Sequence, residues 1–148
     1  MIIQKIEKFY PMDLLLLADP SEKLVKQYVK KGECYIAEQN GETIGVYVLL
    51  RTRPETVELV NIAVAEKHHG QGIGKILVLD AIQKAKDKGF KVIEVGTGNS
   101  SVGQLALYQK CGFRITGVDK DFFKIHYDEE IVENGIACID MIRLAKQL

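Results

Sequence analysis

From Thr56 to Gly89, in "TVELVNIAVAEKHHGQGIGKILVLDAIQKAKDKG", an apolar run rich in β-branched residues gives way to three closely spaced glycines and then to helical periodicity. Ile73, Leu77, Ala81 and Ala85 fall on one helical face, and Gly89 supplies a C-terminal stop. The order is strand, glycine loop, helix, so the chain must lay a helix back onto a sheet. The unit then repeats. "KVIEVGTG" reads as a nearly apolar, interior strand, and "QLALYQKCGF" as a short helix stopped by Gly112.

The remaining segments extend the same sheet. "DLLLLADPSEKLVKQYVKKG" carries apolar residues at three- and four-residue spacing with a break at Asp19-Pro20, which predicts two short helices. "ECYIAEQNGETIGVYVLL" predicts two strands joined across Asn40-Gly41, a pair at ease at positive φ. "FRITGV" and "IACIDMIRLA" predict two further strands around an irregular insert, "DKDFFKIHYDEEIVENG", rich in acids and aromatics. The 148 residues suit one domain, spanning 1–148, able to bury a core without metals or disulfides.

Composition narrows the partners. Lys plus Arg total 20 and Asp plus Glu total 20, so no general field draws the chain to nucleic acid or to an anionic membrane. No apolar run approaches the roughly 20 residues of a membrane span, and "MIIQKIEKFY" has charges where a signal peptide has its apolar core, so a cytoplasmic protein is expected. Cys34, Cys111 and Cys138 are odd in number and widely separated, which predicts buried or half-buried thiols rather than disulfides or a zinc knuckle. A small-molecule partner fits this balance better than a polymer, and a homodimer is compatible with it.

Glycines leading into a helix present unpaired N–H groups at the positive end of the macrodipole, so the loop is an anion site in form. It is not a P-loop, because Gly70 and Gly74-Lys75 are separated by three residues and Ile76 follows where Ser or Thr is needed. Nor is it a dinucleotide fingerprint, since Gly70, Gly72 and Gly74 are spaced G-x-G-x-G in mid-chain. A metal held by His68 and His69 would need further ligands, and adjacent side chains diverge, so no metal is expected and both histidines read as solvent-exposed loop residues.

His69-Gly70-Gln71-Gly72-Ile73-Gly74, directly after "LVNIAVAEKH" and before an amphipathic helix, resembles the R/Q-x-x-G-x-G/A loop of the GCN5-related N-acetyltransferases. The later "LALYQKCGF" resembles that family's L-Y-x-x-x-G-F segment, with Tyr108, Gly112 and Phe113 in place. The order of elements matches from about Ile2 to Leu144, and "GTGNSS" with "ENGIACIDM" is similar to a group of small uncharacterised bacterial members. The resemblance implies an α/β (α+β) fold, a mixed, mainly antiparallel sheet of six to seven strands flanked by about four helices and split near the glycine loop. It also implies acetyl-coenzyme A as co-substrate and acetyl transfer to a primary amine of a small molecule or peptide by direct attack. A non-catalytic acyl-coenzyme A sensor on the same fold is the alternative.

Carried over residue by residue, the resemblance makes Gly70, Gln71, Gly72, Ile73, Gly74 and Lys75 the pyrophosphate cradle, with His69 standing where Arg or Gln is usual. Backbone groups of Ile62, Ala63 and Val64 would bind the pantetheine arm and acetyl carbonyl. Tyr108 would be the general acid, a phenol suiting a thiolate leaving group. Asn99 is the family's pantetheine asparagine if the register allows, yet it lies nine residues before Tyr108 rather than seven, where Ser101 stands.

An alkylamine is neutral in about one molecule in 2,500 at pH 7, so a carboxylate base is wanted. Glu58, 14 residues before Gly72, stands where histone-acetylating members place a catalytic glutamate; a solvent-facing strand glutamate explains it equally well. Asp121, His126, Asp128, Glu129 and Glu130, around Phe122, Phe123 and Tyr127, are the rivals for lining an amine pocket.

Overall fold

A computed structural model describes Met1–Leu148 in full. The elements run β1 (Ile2–Ile6), α1 (Met12–Ala18), α2 (Glu22–Lys31), β2 (Glu33–Gln39), β3 (Glu42–Arg53), β4 (Thr56–Val64), a 3-10 turn (Glu66–His68) and α3 (Ile73–Asp87). They continue β5 (Val92–Gly98), α4 (Val102–Lys110), β6 (Arg114–Asp119), α5 (Phe122–His126), β7 (Val132–Glu133), β8 (Ile136–Ala137) and β9 (Met141–Gln147). Seven strands form one sheet in the order β1-β2-β3-β4-β5-β9-β6, and β7-β8 make a small separate hairpin. Every pair in the large sheet is antiparallel except β4-β5.

Local chemistry sets most of these boundaries. Ser21 caps α2 by accepting from the Leu24 N–H at 3.3 Å, just after the Asp19-Pro20 break. Asn40 and Gly41 take φ of 53° and 75°, the left-handed pair that a two-residue hairpin turn requires. The same turn recurs at Asn134-Gly135, φ 55° and 73°, inside the segment expected to be irregular. That segment also contains α5, and "IACIDMIRLA" breaks into β8 and β9 rather than running as one strand. The break has a visible cause. The Asn99 side-chain oxygen accepts from the N–H of Ile139 at 2.8 Å and of Asp140 at 3.0 Å, and its Nδ2 donates to the Ala137 carbonyl at 3.0 Å.

Each sheet face carries its own core. α3 and α4 cover the face of Tyr35, Tyr47, Leu49, Val57, Leu59, Ile62, Ile93, Val95 and Leu144. α1 and α2 cover Cys34, Ile36, Val46, Val48 and Ala63 on the other. Leu77 of α3 is fully buried, and a Cβ on Gly45 would lie 2.9 Å from its Cδ1, so the glycine lets helix and sheet close up. Cys34, Cys111 and Cys138 are all free and buried, as expected.

Two irregularities in β4 shape the centre of the molecule. Val48 pairs with Asn61 but Leu49 pairs with Leu59, so Val60 is an extra residue, a β-bulge. The parallel pairing with β5 ends at Leu59–Val95, and beyond it the two strands separate. The bulge turns Asn61 onto the α1/α2 face, where it is 3% exposed and donates to the Leu15 carbonyl and to Tyr28 Oη, both at 2.9 Å. Tyr28 and Tyr127 hydroxyls each donate to Asp19, at 3.0 and 2.8 Å. Burial pushes both phenols up, so both keep the proton they donate. This network ties α1, α2 and the insert to the bulge.

Candidate active site

Beyond Leu59 the edge of β4 facing β5 carries unpaired backbone groups. The Ala65 N–H donates to the Ile44 carbonyl at 2.8 Å, and because N–H direction alternates along a strand, those of Val64 and Ile62 point away from β3 into the split. The Val64 carbonyl, on the same side, is taken: His69 Nε2–H donates to it at 2.7 Å. A carbonyl only accepts, so this bond fixes the proton on Nε2. His69 thus braces the loop against the strand. His68 turns elsewhere, with Nδ1 3.3 Å from Gln71 Oε1 and Nε2 buried without a partner, so it is not the solvent-exposed residue expected.

The split opens onto the glycine loop. Gly70 and Gly72 take φ of 79° and 78°, and nothing lies within 4 Å of a Cβ built on either. Gly72 is the N-cap of α3, offers no side chain to the first-turn N–H groups, and is followed by no acid in that turn. The N–H groups of Ile73, Gly74 and Lys75 therefore face outward at the positive end of a 15-residue helix. They border a groove of about 220 Å³ with Ile62, Ala63, Val64, His69 and Gly70 as its other walls. Gln71 and Lys75 are exposed beside it.

Gly72→Ala tests this loop. A left-handed residue with a Cβ costs about 1–2 kcal/mol, so we expect a melting temperature lower by a few degrees. Coenzyme A affinity, read by calorimetry, should fall further than that, because the Cβ would stand in the open groove.

α4 closes the groove from the side. Tyr108 is 3% exposed, its ring meets Phe113 edge-on at 5.8 Å, and its hydroxyl bonds to no atom of the chain. Burial pushes the phenol well up, so it holds its proton at any ordinary pH. Gln104, one helical turn before Tyr108, and Leu107 line the groove, while Tyr108 itself is packed in the core behind them. The sequence reading missed them together with His68; the i, i+4 spacing of Gln104 and Tyr108 was the available signal. Asn99 is committed to the β8–β9 break through three hydrogen bonds, and Ser101 Oγ donates to Glu133 Oε1 at 2.9 Å. Both side chains of the uncertain register thus have partners within the chain.

Glu58 lies on the opposite face of the sheet, in a second cleft of about 450 Å³ over β4, β5, β9 and β6. Burial raises its carboxyl pKa, outweighing the attraction of Arg143, whose Nη1 is 3.9 Å away. It stands four residues before Ile62, about 13 Å along an extended strand, so it reaches the split only through solvent or through a bound molecule. The rivals in the insert lie outside both clefts. Asp128, Glu129 and Glu130 are exposed, and the ring of His126 packs on Phe122 at 4.5 Å.

A seven-stranded mixed sheet split beside a glycine-lined helix N-terminus defines a protein with an anion site in form at the mouth of the split. Residues 4–113 match the model of the Acetyltransferase (GNAT) family, and the chain belongs to that family. It is 64% identical over 132 residues, 89% of this chain and 85% of the other, to an uncharacterised N-acetyltransferase of Bacillus subtilis, YvbK. A GNAT acetyltransferase of Elizabethkingia anophelis, solved with acetyl-CoA bound, is 55% identical with a TM-score of 0.97, the match covering 99% of this chain and 97% of that one. A Bacillus subtilis acetyltransferase solved in complex with CoA is 59% identical with a TM-score of 0.95, over 99% and 97% of the two chains. The protein is thus an N-acetyltransferase of the acetyl-CoA-binding type.

Proposed function

We propose that this enzyme moves the acetyl group of acetyl-CoA to a primary amine of a small molecule or peptide by direct attack, with Tyr108 and Glu58 as proton carriers. The observation that carries this reading is the split itself: free Ile62 and Val64 N–H groups lie between a cleft whose Glu58 carboxylate makes no hydrogen bond within the chain and a helix that carries the buried, unbonded phenol of Tyr108. The coenzyme lies along Ile62–Val64 with its pyrophosphate on the Gly70–Lys75 loop. The amine enters from the Glu58 cleft and loses a proton to that carboxylate through intervening water. Its nitrogen then attacks the thioester carbon, the C–N bond forms and the C–S bond breaks. A backbone N–H of β4 holds the carbonyl oxygen as it gains charge. Tyr108 protonates the departing thiolate and recovers a proton from the amide nitrogen.

The test is thiol release from acetyl-CoA across polyamines, amino acids, aminoglycosides and peptides, run beside calorimetry of coenzyme binding. Release with at least one amine class is expected. Binding without release on any amine would instead make the chain an acyl-CoA sensor.

A further inference from the structure

The cleft around Glu58 has a charge arrangement that a solvated surface does not need. Arg53 donates to Glu94 at 2.8 Å, and Arg143 Nε donates to Asp119 at 2.7 Å. Two of the three carboxylates are therefore matched and Glu58 is not, since Arg143 Nη1 at 3.9 Å lies beyond hydrogen-bond reach. Arg143 itself is only partly spent. Of its five donors just Nε has a hydrogen-bond partner, and the side chain lines the cleft with Nη1 nearest Glu58. The guanidinium is also held still: Phe122 of α5 covers it at 5.5 Å and Asp119 fixes its Nε edge.

Position adds to this. Arg143 pairs with Gly96, one residue past the last parallel pair, so the arginine lies level with the start of the split, between Glu58 and Ile62. A Cβ on Gly96 would be 3.1 Å from Arg143 Nη1. The glycine lets the side chain lie flat across β5 from β9 toward β4.

We infer that the acceptor carries a carboxylate close to its amine, as an amino acid does, and that Arg143 receives that carboxylate while Glu58 faces the ammonium. This rests on the acetyl-transfer reading above. A planar guanidinium with free, parallel N–H groups matches a carboxylate bidentately, and a half-buried carboxylate without a hydrogen-bond donor matches an ammonium. Once Glu58 has taken the amine's proton it is neutral, and Arg143 then answers the substrate carboxylate alone. The raised pKa of Glu58 favours that transfer.

The experiment compares matched pairs, each an amino acid and its decarboxylated amine, with small, aliphatic and aromatic side chains. We expect wild-type kcat/KM to favour the carboxylated member by about 10- to 100-fold, the range of one charge-assisted pair. In Arg143→Gln that ratio should fall toward one, and Arg143→Lys, which keeps charge but loses the fork, should lie between. Coenzyme affinity and melting temperature show that the variants fold. Equal rates on both members in the wild type, or an intact preference in Arg143→Gln, overturns the inference. Should no amine turn over, acetyl transfer itself fails, and calorimetry of the same pairs on coenzyme-loaded protein decides separately: tighter binding of carboxylated members keeps the inference, and no difference overturns it.

Discussion

Tyr108→Phe will bind coenzyme A as the wild type does and lose kcat by about 10²- to 10³-fold, the scale of a positioned general acid. The phenyl ring keeps the volume and the edge contact with Phe113, so thermal stability should change little. The hydroxyl has no partner within the chain, and deleting it leaves no orphaned group behind. That absence makes the test clean: a structural role would appear in stability, and a catalytic one only in turnover. Burial raises the phenol pKa, so the wild-type rate should show no alkaline decline from Tyr108 between about pH 7 and 9. Unchanged kcat in Tyr108→Phe over a full pH profile would remove the assignment.

Glu58→Gln will separate activity from stability in opposite directions. Its kcat/KM should fall about 10²-fold or more near neutral pH, where alkylamines are protonated, and recover as pH rises and free amine becomes abundant. The wild-type acid limb should sit above the ordinary carboxylate range because burial disfavours the ion. For stability the sign is reversed. A carboxyl whose folded pKa is raised binds more protons folded than unfolded across that window, so stability falls as pH rises through it. Above that window the cost is fully present, and there Glu58→Gln, which cannot ionise, should melt no lower than the wild type. A variant both less stable and equally active would show that Glu58 is an ordinary surface strand residue.

Much of the scaffold was legible because its signals are local. Asn40-Gly41, the Asp19-Pro20 break with Ser21 as cap, and the glycines ending α3 and α4 each act through a few neighbouring φ angles. The insert hid its order, because β7 and β8 are two residues each and α5 five, too short for any periodicity to show. Asn99 illustrates the limit at the site. Its place in the chain suited a ligand contact, but its three hydrogen bonds go to residues about 40 positions away. His69 is similar: spacing placed it at the loop, and only the fold showed that it grips the Val64 carbonyl.

By itself the sequence determined the strand, the glycine loop and the helix after it, because positive φ and helical periodicity are properties of adjacent residues. It determined the tyrosine's place on α4 in the same way. The tertiary structure alone decided that β4 and β5 part at Leu59, that Val60 bulges there, and that Ile62 and Val64 are left with free N–H groups. It also brought Arg143 from the last strand across Gly96 to within 3.9 Å of Glu58. Such juxtapositions arise from strand order and register, which long-range packing sets and no short window of residues encodes.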